Sequence, residues 1–151
     1  MKKHPNYRVA VEAMLKVDEK LLLMKRAPNC DVAPGAWSVP AGKVKYEETP
    51  IKAVVRECLE ETSIETKVVR EIDCRTFKTQ IRGEEAFRLV YAYLLEAIDG
   101  NNSEVELSDE HTEFAWVDKN EIEDEKYQSL QKEVKKAIIN NVFNNVDIAK
   151  Q

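Results

Sequence analysis

The chain has 151 residues, 43% of them apolar and 34% charged, with a formal net charge of −5. That length suits one domain with a genuine core, and the composition is that of an ordinary globular protein. The negative balance argues against a nucleic-acid binder that works through a broad basic surface, and it requires that any phosphate-bearing ligand be met by a metal ion or by a few well-placed Arg and Lys side chains.

The N-terminal residues include two lysines but lead into no uninterrupted apolar run, and no segment is long enough to span a membrane. A cytoplasmic protein without a membrane partner is expected. Residues 8–17 alternate, with Val9, Val11, Ala13, Leu15 and Val17 on one face, which predicts a half-buried strand. Asp18-Glu19 marks a tight turn and residues 20–25 the returning strand. Residues 27–36 read as a loop from their Pro, Asn, Asp and Gly content, and 37–39 as a short extended piece before Pro40-Ala41-Gly42. Thr49 and Pro50 signal the N-cap and first position of a helix running to about Thr62. Residues 64–79 form one extended strand or a bent pair, and Gly83 sits in a turn. Residues 86–97 alternate again, with Phe87, Leu89, Tyr91, Tyr93 and Leu95 on one face. Asp99-Gly100-Asn101-Asn102 is a turn or loop, and residues 113–117 are a short strand. From about Glu121 the tail is helical: Leu130, Val134, Ile138 and Val142 recur every four residues, with Ala137 beside them.

Strands on both sides of a central helix, followed by a C-terminal helix, predict an α/β fold with a mixed sheet between helices. Cys30, Cys58 and Cys74 are odd in number and lack any CxxC spacing, so neither a disulfide framework nor a zinc site is indicated and a reduced compartment is the simplest reading.

The segment from Gly42 to Ile64 carries the chemistry. At about 100° per residue, with Glu57 taken as zero, Glu60 falls at about −60° and Glu61 at about +40°. Three carboxylates therefore share one face, and Ile51, Val54, Val55, Cys58 and Leu59 occupy the other side. Like charges at these spacings destabilise a helix by a few tenths of a kcal/mol per pair, and a divalent cation reverses that sign. Mg²⁺ or Mn²⁺ prefers such oxygen ligands, binds phosphate oxygens and lowers the pKa of a bound water. Gly42, on a loop with Pro40, has no side chain to keep a backbone carbonyl from the same ion.

The segment resembles the Nudix box: Gly, five residues, Glu, seven residues, Arg-Glu-apolar-any-Glu-Glu-any-Gly-apolar. Gly42, Glu48, Arg56, Glu57, Glu60 and Glu61 are all in register, Cys58 and Ile64 fill apolar positions, and Ser63 stands where the family usually has Gly. A chance match of these six positions is about one in a thousand for the whole chain. The approach through Trp37, Pro40 and Gly42, with Ala41 for a common Gly, and the late segment ending in Trp116-Val117 are also similar to the family. The likeness covers roughly residues 8–118.

The resemblance implies an α/β/α sandwich filling residues 1–151 as a single Nudix hydrolase domain, and a hydrolase that splits a phosphoanhydride in a small nucleotide. It implies Mg²⁺ or Mn²⁺ held by Glu57, Glu60, Glu61 and the Gly42 carbonyl, with Glu57 as a candidate base on the attacking water. Arg56 orients a box glutamate, and Glu48 supports the metal shell or that Arg. An additional acid often comes from the loop before the late Trp, where Glu110 is the candidate and Glu113 the alternative. Arg26 ends a strand facing the loop and is the candidate for substrate phosphate. Trp37 and Trp116 are read as packing residues, His111 as a polar loop residue, and Cys58 as core. Gln80 stands where ADP-ribose members carry Pro and Arg82 where dinucleoside tetraphosphate members carry Tyr, which favours a nucleoside triphosphate. A non-catalytic nucleotide sensor on the same fold is the competing reading, opposed by the complete acid set. Family members are often homodimers, and nothing in the pattern here demands one.

Overall fold

The computed structural model describes residues 6–99 and 104–144. The first five residues and most of the loop expected at 99–102 lie outside them. Strand β1 (Tyr7–Val17) is the hub. One edge pairs in parallel with β6 (Glu84–Ala97), which in turn carries the long antiparallel β5 (Thr66–Ile81). The other edge is shared. Near its end, Lys16 and Val17 pair with β2 (Lys20–Arg26), while Ala10, Val11 and Glu12 pair with the short β4 (Ala41–Lys43). Two further strands, β3 (Trp37–Ser38) and β7 (His111–Val117), are antiparallel partners of β2. The sheet is therefore mixed, as the two hairpin turns predict. Both turns use left-handed backbone: Asp18 at φ 55° in the first, Arg82 and Gly83 at φ 51° and 80° in the second.

The expectation of a half-buried β1 is corrected. Ala10 and Met14 are as buried as Val11, Ala13 and Leu15, because β1 lies inside the sheet with apolar layers on both faces; of the predicted apolar set only Val9, near its start, is exposed. One layer comes from helix α1 (Pro50–Thr62), whose Ala53, Val54 and Cys58 pack on Val11, Ala13, Leu15, Tyr93 and Leu95. The other comes from the C-terminal segment, whose Val134, Ala137, Ile138 and Val142 pack on Met14, Leu23, Trp37 and Ala92. The tail is not helical from Glu121 as expected. Two single 3-10 turns, Glu121–Glu123 and Glu125–Tyr127, seat Ile122 and Tyr127 in the core before α2 (Lys132–Ile138) begins, and α2 ends in a wide π turn, Ile139–Phe143.

Residues 66–81 form one strand, with register shifts between Val68 and Arg70 and between Glu71 and Asp73, so the open choice between a single strand and a bent pair ends as a single bulged strand. Strand β7 begins two residues earlier than predicted, at His111. What positions the site is the early parting of β1 from β2. The edge of β1 thus freed takes up β4, reinforced by Ala13 N donating to Pro40 O at 2.8 Å and Val44 N donating to Val9 O at 3.0 Å. Gly42 thus lies in a strand opposite Val11, not on a free loop.

Candidate active site

Helix α1 starts where Thr49 caps it, its side chain accepting from Lys52 N at 3.3 Å with Pro50 in the first turn. It stops at Ser63, which takes the left-handed conformation (φ 65°, ψ 16°) and donates its N–H to Leu59 O at 2.8 Å. The residue in the usual Gly position therefore makes the same helix-ending turn, at the cost of a left-handed non-Gly backbone.

The helix does not present its three acids to solvent as one face. Its buried stripe is Ala53, Val54, Cys58, Glu61 and Thr62, while Ile51 and Leu59 are exposed. The packing axis is rotated from the one expected, because α1 leans on β4 as well as β1. The acids are consequently graded: Glu60 is exposed, Glu57 is mostly covered, and Glu61 is 2% exposed.

Glu57 lies directly over Gly42. A Cβ on Gly42 would come within 2.0 Å of the Glu57 carboxyl carbon and 2.3 Å of both its oxygens. The glycine is required by that approach, whatever its carbonyl does. Arg56 fixes the same carboxylate from the side. Its Nε and Nη2 form a fork on Glu48 at 2.7 and 2.9 Å, its Nη1 donates to Glu57 at 2.8 Å and to Glu60 at 3.2 Å, and Nη2 also donates to Lys43 O at 3.0 Å. All five guanidinium donors are used. The Arg56 hydrogen bond and the Lys45 N–H hold Glu48 down at about 2. Burial pushes the Glu57 carboxyl above its ordinary range against the pull of Arg56.

Glu61 is the unusual group. Its Oε2 accepts from Ala41 N at 3.0 Å, while Oε1 is sealed from solvent with no hydrogen-bond donor among the described residues. Burial first, then the charges of Glu57 and Glu110, push its carboxyl up to about 9. His111 faces it, Nε2 at 4.0 Å from Oε1, too far for a hydrogen bond. His111 is 5% exposed and not the polar loop residue expected; both ring nitrogens lack partners among the described residues, and burial and Arg26 hold its pKa down at about 4. Sequence reasoning missed it because β7 was taken to start after it.

Glu110 is exposed at the site's rim, with its carbonyl accepting from Ala27 N at 2.8 Å, and its charge acts on both Glu57 and Glu61. The alternative acid, Glu113, is turned to Lys25 at 3.4 Å. Arg26 acts electrostatically on Glu61 and His111, with its Nε donating to Val32 O at 2.6 Å. Trp37 is buried edge-on against Tyr127 at 5.0 Å and is a packing residue, and Cys58 is core, its thiol pushed up to about 11 by burial.

Among the described residues, no three of these carboxylates close on one point, because Arg56 draws Glu60 outward and Glu57 sideways. The donor set nevertheless suits a hard divalent cation. It is all oxygen, it includes a buried carboxylate oxygen with no donor, and it adjoins a backbone cradle that a single Cβ would fill.

The NUDIX domain family model matches residues 6–138. The chain is 31% identical over 119 residues to the ADP-ribose pyrophosphatase of Methanocaldococcus jannaschii, covering 79% of this chain and 65% of that protein's length. It is equally identical, over 118 residues, to the nucleoside triphosphatase NudI of Escherichia coli K12, covering 73% of this chain and 81% of that one. The MutT protein from Methanosarcina mazei Go1 has the same fold, with a TM-score of 0.71 at 24% identity over 92% of this chain and 95% of that one. An Ap4A hydrolase from C. elegans gives a TM-score of 0.66 at 22% identity over 87% and 93%. At those identities the structural likeness speaks for the fold: a mixed sheet with flanking helices.

Proposed function

Since the chain belongs to the Nudix family of hydrolases, we propose that it is a single-domain, cation-dependent pyrophosphohydrolase acting in the cytoplasm on a nucleoside triphosphate or a nucleoside-diphosphate-linked substrate. Glu61 carries this reading. A carboxylate oxygen buried without a donor costs about 1–3 kcal/mol or more, and the arrangement makes sense when a positive ligand completes it. Relatives named for ADP-ribose and for nucleoside triphosphates are equally similar, so both substrate classes stand.

In the proposed reaction water adds to one phosphorus of the anhydride, and the bridging oxygen leaves with the other phosphoryl fragment. Glu57, Glu60, Glu61 and the Gly42 carbonyl, with Glu110 at the rim, would hold Mg²⁺ or Mn²⁺, which would supply charge neutralisation of the phosphates and acidification of water when bound. Glu57 takes the proton of the attacking water. Its raised pKa suits a base, and Arg56 fixes its direction through the 2.8 Å bond. Glu48 holds Arg56 by the two-point fork, so Glu48 and Arg56 are positioning residues. Arg26, its charge felt at Glu61, meets the phosphate that carries the leaving charge.

The test is a panel of nucleoside triphosphates, ADP-ribose and dinucleoside polyphosphates with Mg²⁺ or Mn²⁺, with products identified by mass. Cleavage within a P–O–P linkage that EDTA abolishes supports the reading. Saturable nucleotide binding without turnover on any of them refutes it.

A further inference from the structure

A chain with a net charge of −5 gathers arginines on one side of its sheet. Arg8 and Arg88 are ladder partners in the parallel β1–β6 pair, so their side chains leave the same face one strand spacing apart, about 4.8 Å. Phe77 of β5 completes that row. One row along, Arg75 donates to Glu12 at 2.6 Å and to Asp73 at 3.2 Å, and the Glu12 charge also reaches Arg88 without a hydrogen bond to it. Arg8 and Arg88 have no such partner. The Nε of each is sealed from solvent, and among the described residues neither has a hydrogen-bond acceptor, although each residue remains partly exposed. Three guanidinium groups thus face two carboxylates.

Two guanidinium groups side by side, with buried donors left open, are costly. An oxyanion supplies the missing acceptors and the missing charge together. An open cleft of about 590 Å³ lies alongside, between β5 and the start of α2, lined by Arg75, Thr76, Phe77, Gln131, Lys132 and Glu133, and Phe77 is the row partner of Arg88. The Arg26 charge is felt by Glu61 and His111 and also by Arg88, so it lies within electrostatic range of both groups.

We propose that Arg8 and Arg88 form an anion subsite, reached past Arg26, that binds a phosphate monoester carried by the substrate in addition to the diphosphate that is split. The substrate class is accordingly a nucleotide with a further phosphate away from the cleaved linkage. This deepens, and rests on, the reading of Glu57 and Glu61 as the hydrolytic centre. The same chemistry suits free inorganic phosphate, and the test separates the two sources.

The first arm uses inorganic phosphate as probe in EDTA, at constant ionic strength, and reads the thermal midpoint. The wild type shows a saturable rise; R8Q and R88Q each weaken phosphate at least ~10-fold, R88K by less than R88Q, and E57Q keeps the rise. This arm involves no turnover, so its failure and the failure of the hydrolase reading are distinguishable. The second arm compares ADP-ribose with its phosphorylated counterpart. In R88Q, kcat/KM for the phosphorylated substrate falls ~10- to 100-fold further than for ADP-ribose. No phosphate-dependent rise in the wild type overturns the subsite. A rise lost in R8Q and R88Q with equal falls on both substrates assigns the site to free phosphate and overturns the substrate claim.

Discussion

Replacing Glu61 by Gln separates the cation reading from a purely structural role for this carboxyl. In the native protein without metal, Glu61 holds its proton up to about pH 9, against an ordinary value of 4.5. At pH 7 the native state therefore carries a proton that the unfolded chain has released. The 2.5 units between 4.5 and 7 amount to about 3 kcal/mol of lost stability at 1.36 kcal/mol per unit. That figure is the same wherever above 7 the native value lies. The sign follows from linkage. The native state binds the extra proton, so stability falls as pH rises from about 4.5 through about 9, by ~1.4 kcal/mol per unit. His111 acts oppositely, but only between about 4 and 6.5 where its lowered value separates native from unfolded. The window from pH 7 to 8.5 is thus free of it. E61Q is neutral, keeps an oxygen for the Ala41 N–H, and removes the penalty. In EDTA at pH 7 its midpoint is expected to lie ~6–12 °C above wild type for a chain of this size, and the gap is expected to widen toward pH 8.5. Saturating Mn²⁺ raises the wild type and leaves E61Q unmoved, and E61Q loses turnover by orders of magnitude. Thermal unfolding followed by circular dichroism reads all of this. An E61Q protein less stable than wild type in EDTA, or with the same pH slope, refutes the reasoning.

Other substitutions follow from the same geometry. G42A places a methyl group where the Glu57 carboxyl lies, and is expected to cut kcat at least ~100-fold while far-UV circular dichroism stays native, since the β1–β4 backbone pairing needs no glycine. R56K replaces a five-donor fork by a single ammonium; kcat is expected to fall at least ~10-fold, with a smaller change in KM, in steady-state kinetics. S63G relieves the left-handed backbone at the helix end and is expected to raise the midpoint by ~2–4 °C, about 1 kcal/mol, with turnover unchanged.

The box could be read from the sequence because it combines a periodic helix with residues whose spacing is set by chemistry. Thr49 and Pro50 fixed the start of α1, and in the structure Arg56 donates to Glu48, Glu57 and Glu60. The resemblance also named Gly42, but not the reason this structure gives, the Glu57 carboxyl resting on its Cα. What escaped depends on long-range pairing. A helical wheel has no knowledge of β4, so it set Glu61 opposite the buried stripe, whereas the structure places it within that stripe. His111 looked like loop because a polar start to a strand carries no alternation signal. Alternation made β1 one-sided because it predicts a single apolar face, whereas α1 covers one face and the C-terminal segment the other. The tail's four-residue repeat found α2, while the two 3-10 turns before it seat Ile122 and Tyr127, five residues apart and outside that repeat, without a continuous helix.

The most direct measurement is calorimetric titration of Mn²⁺ into the metal-free protein at pH 7, repeated in two buffers of different ionisation enthalpy. The difference gives the number of protons released on binding. A carboxyl that holds its proton to about pH 9 must give it up to the ion, so close to one proton per protein is expected. Binding with no proton release, or no binding at millimolar Mn²⁺, contradicts the assignment of Glu61 to a cation.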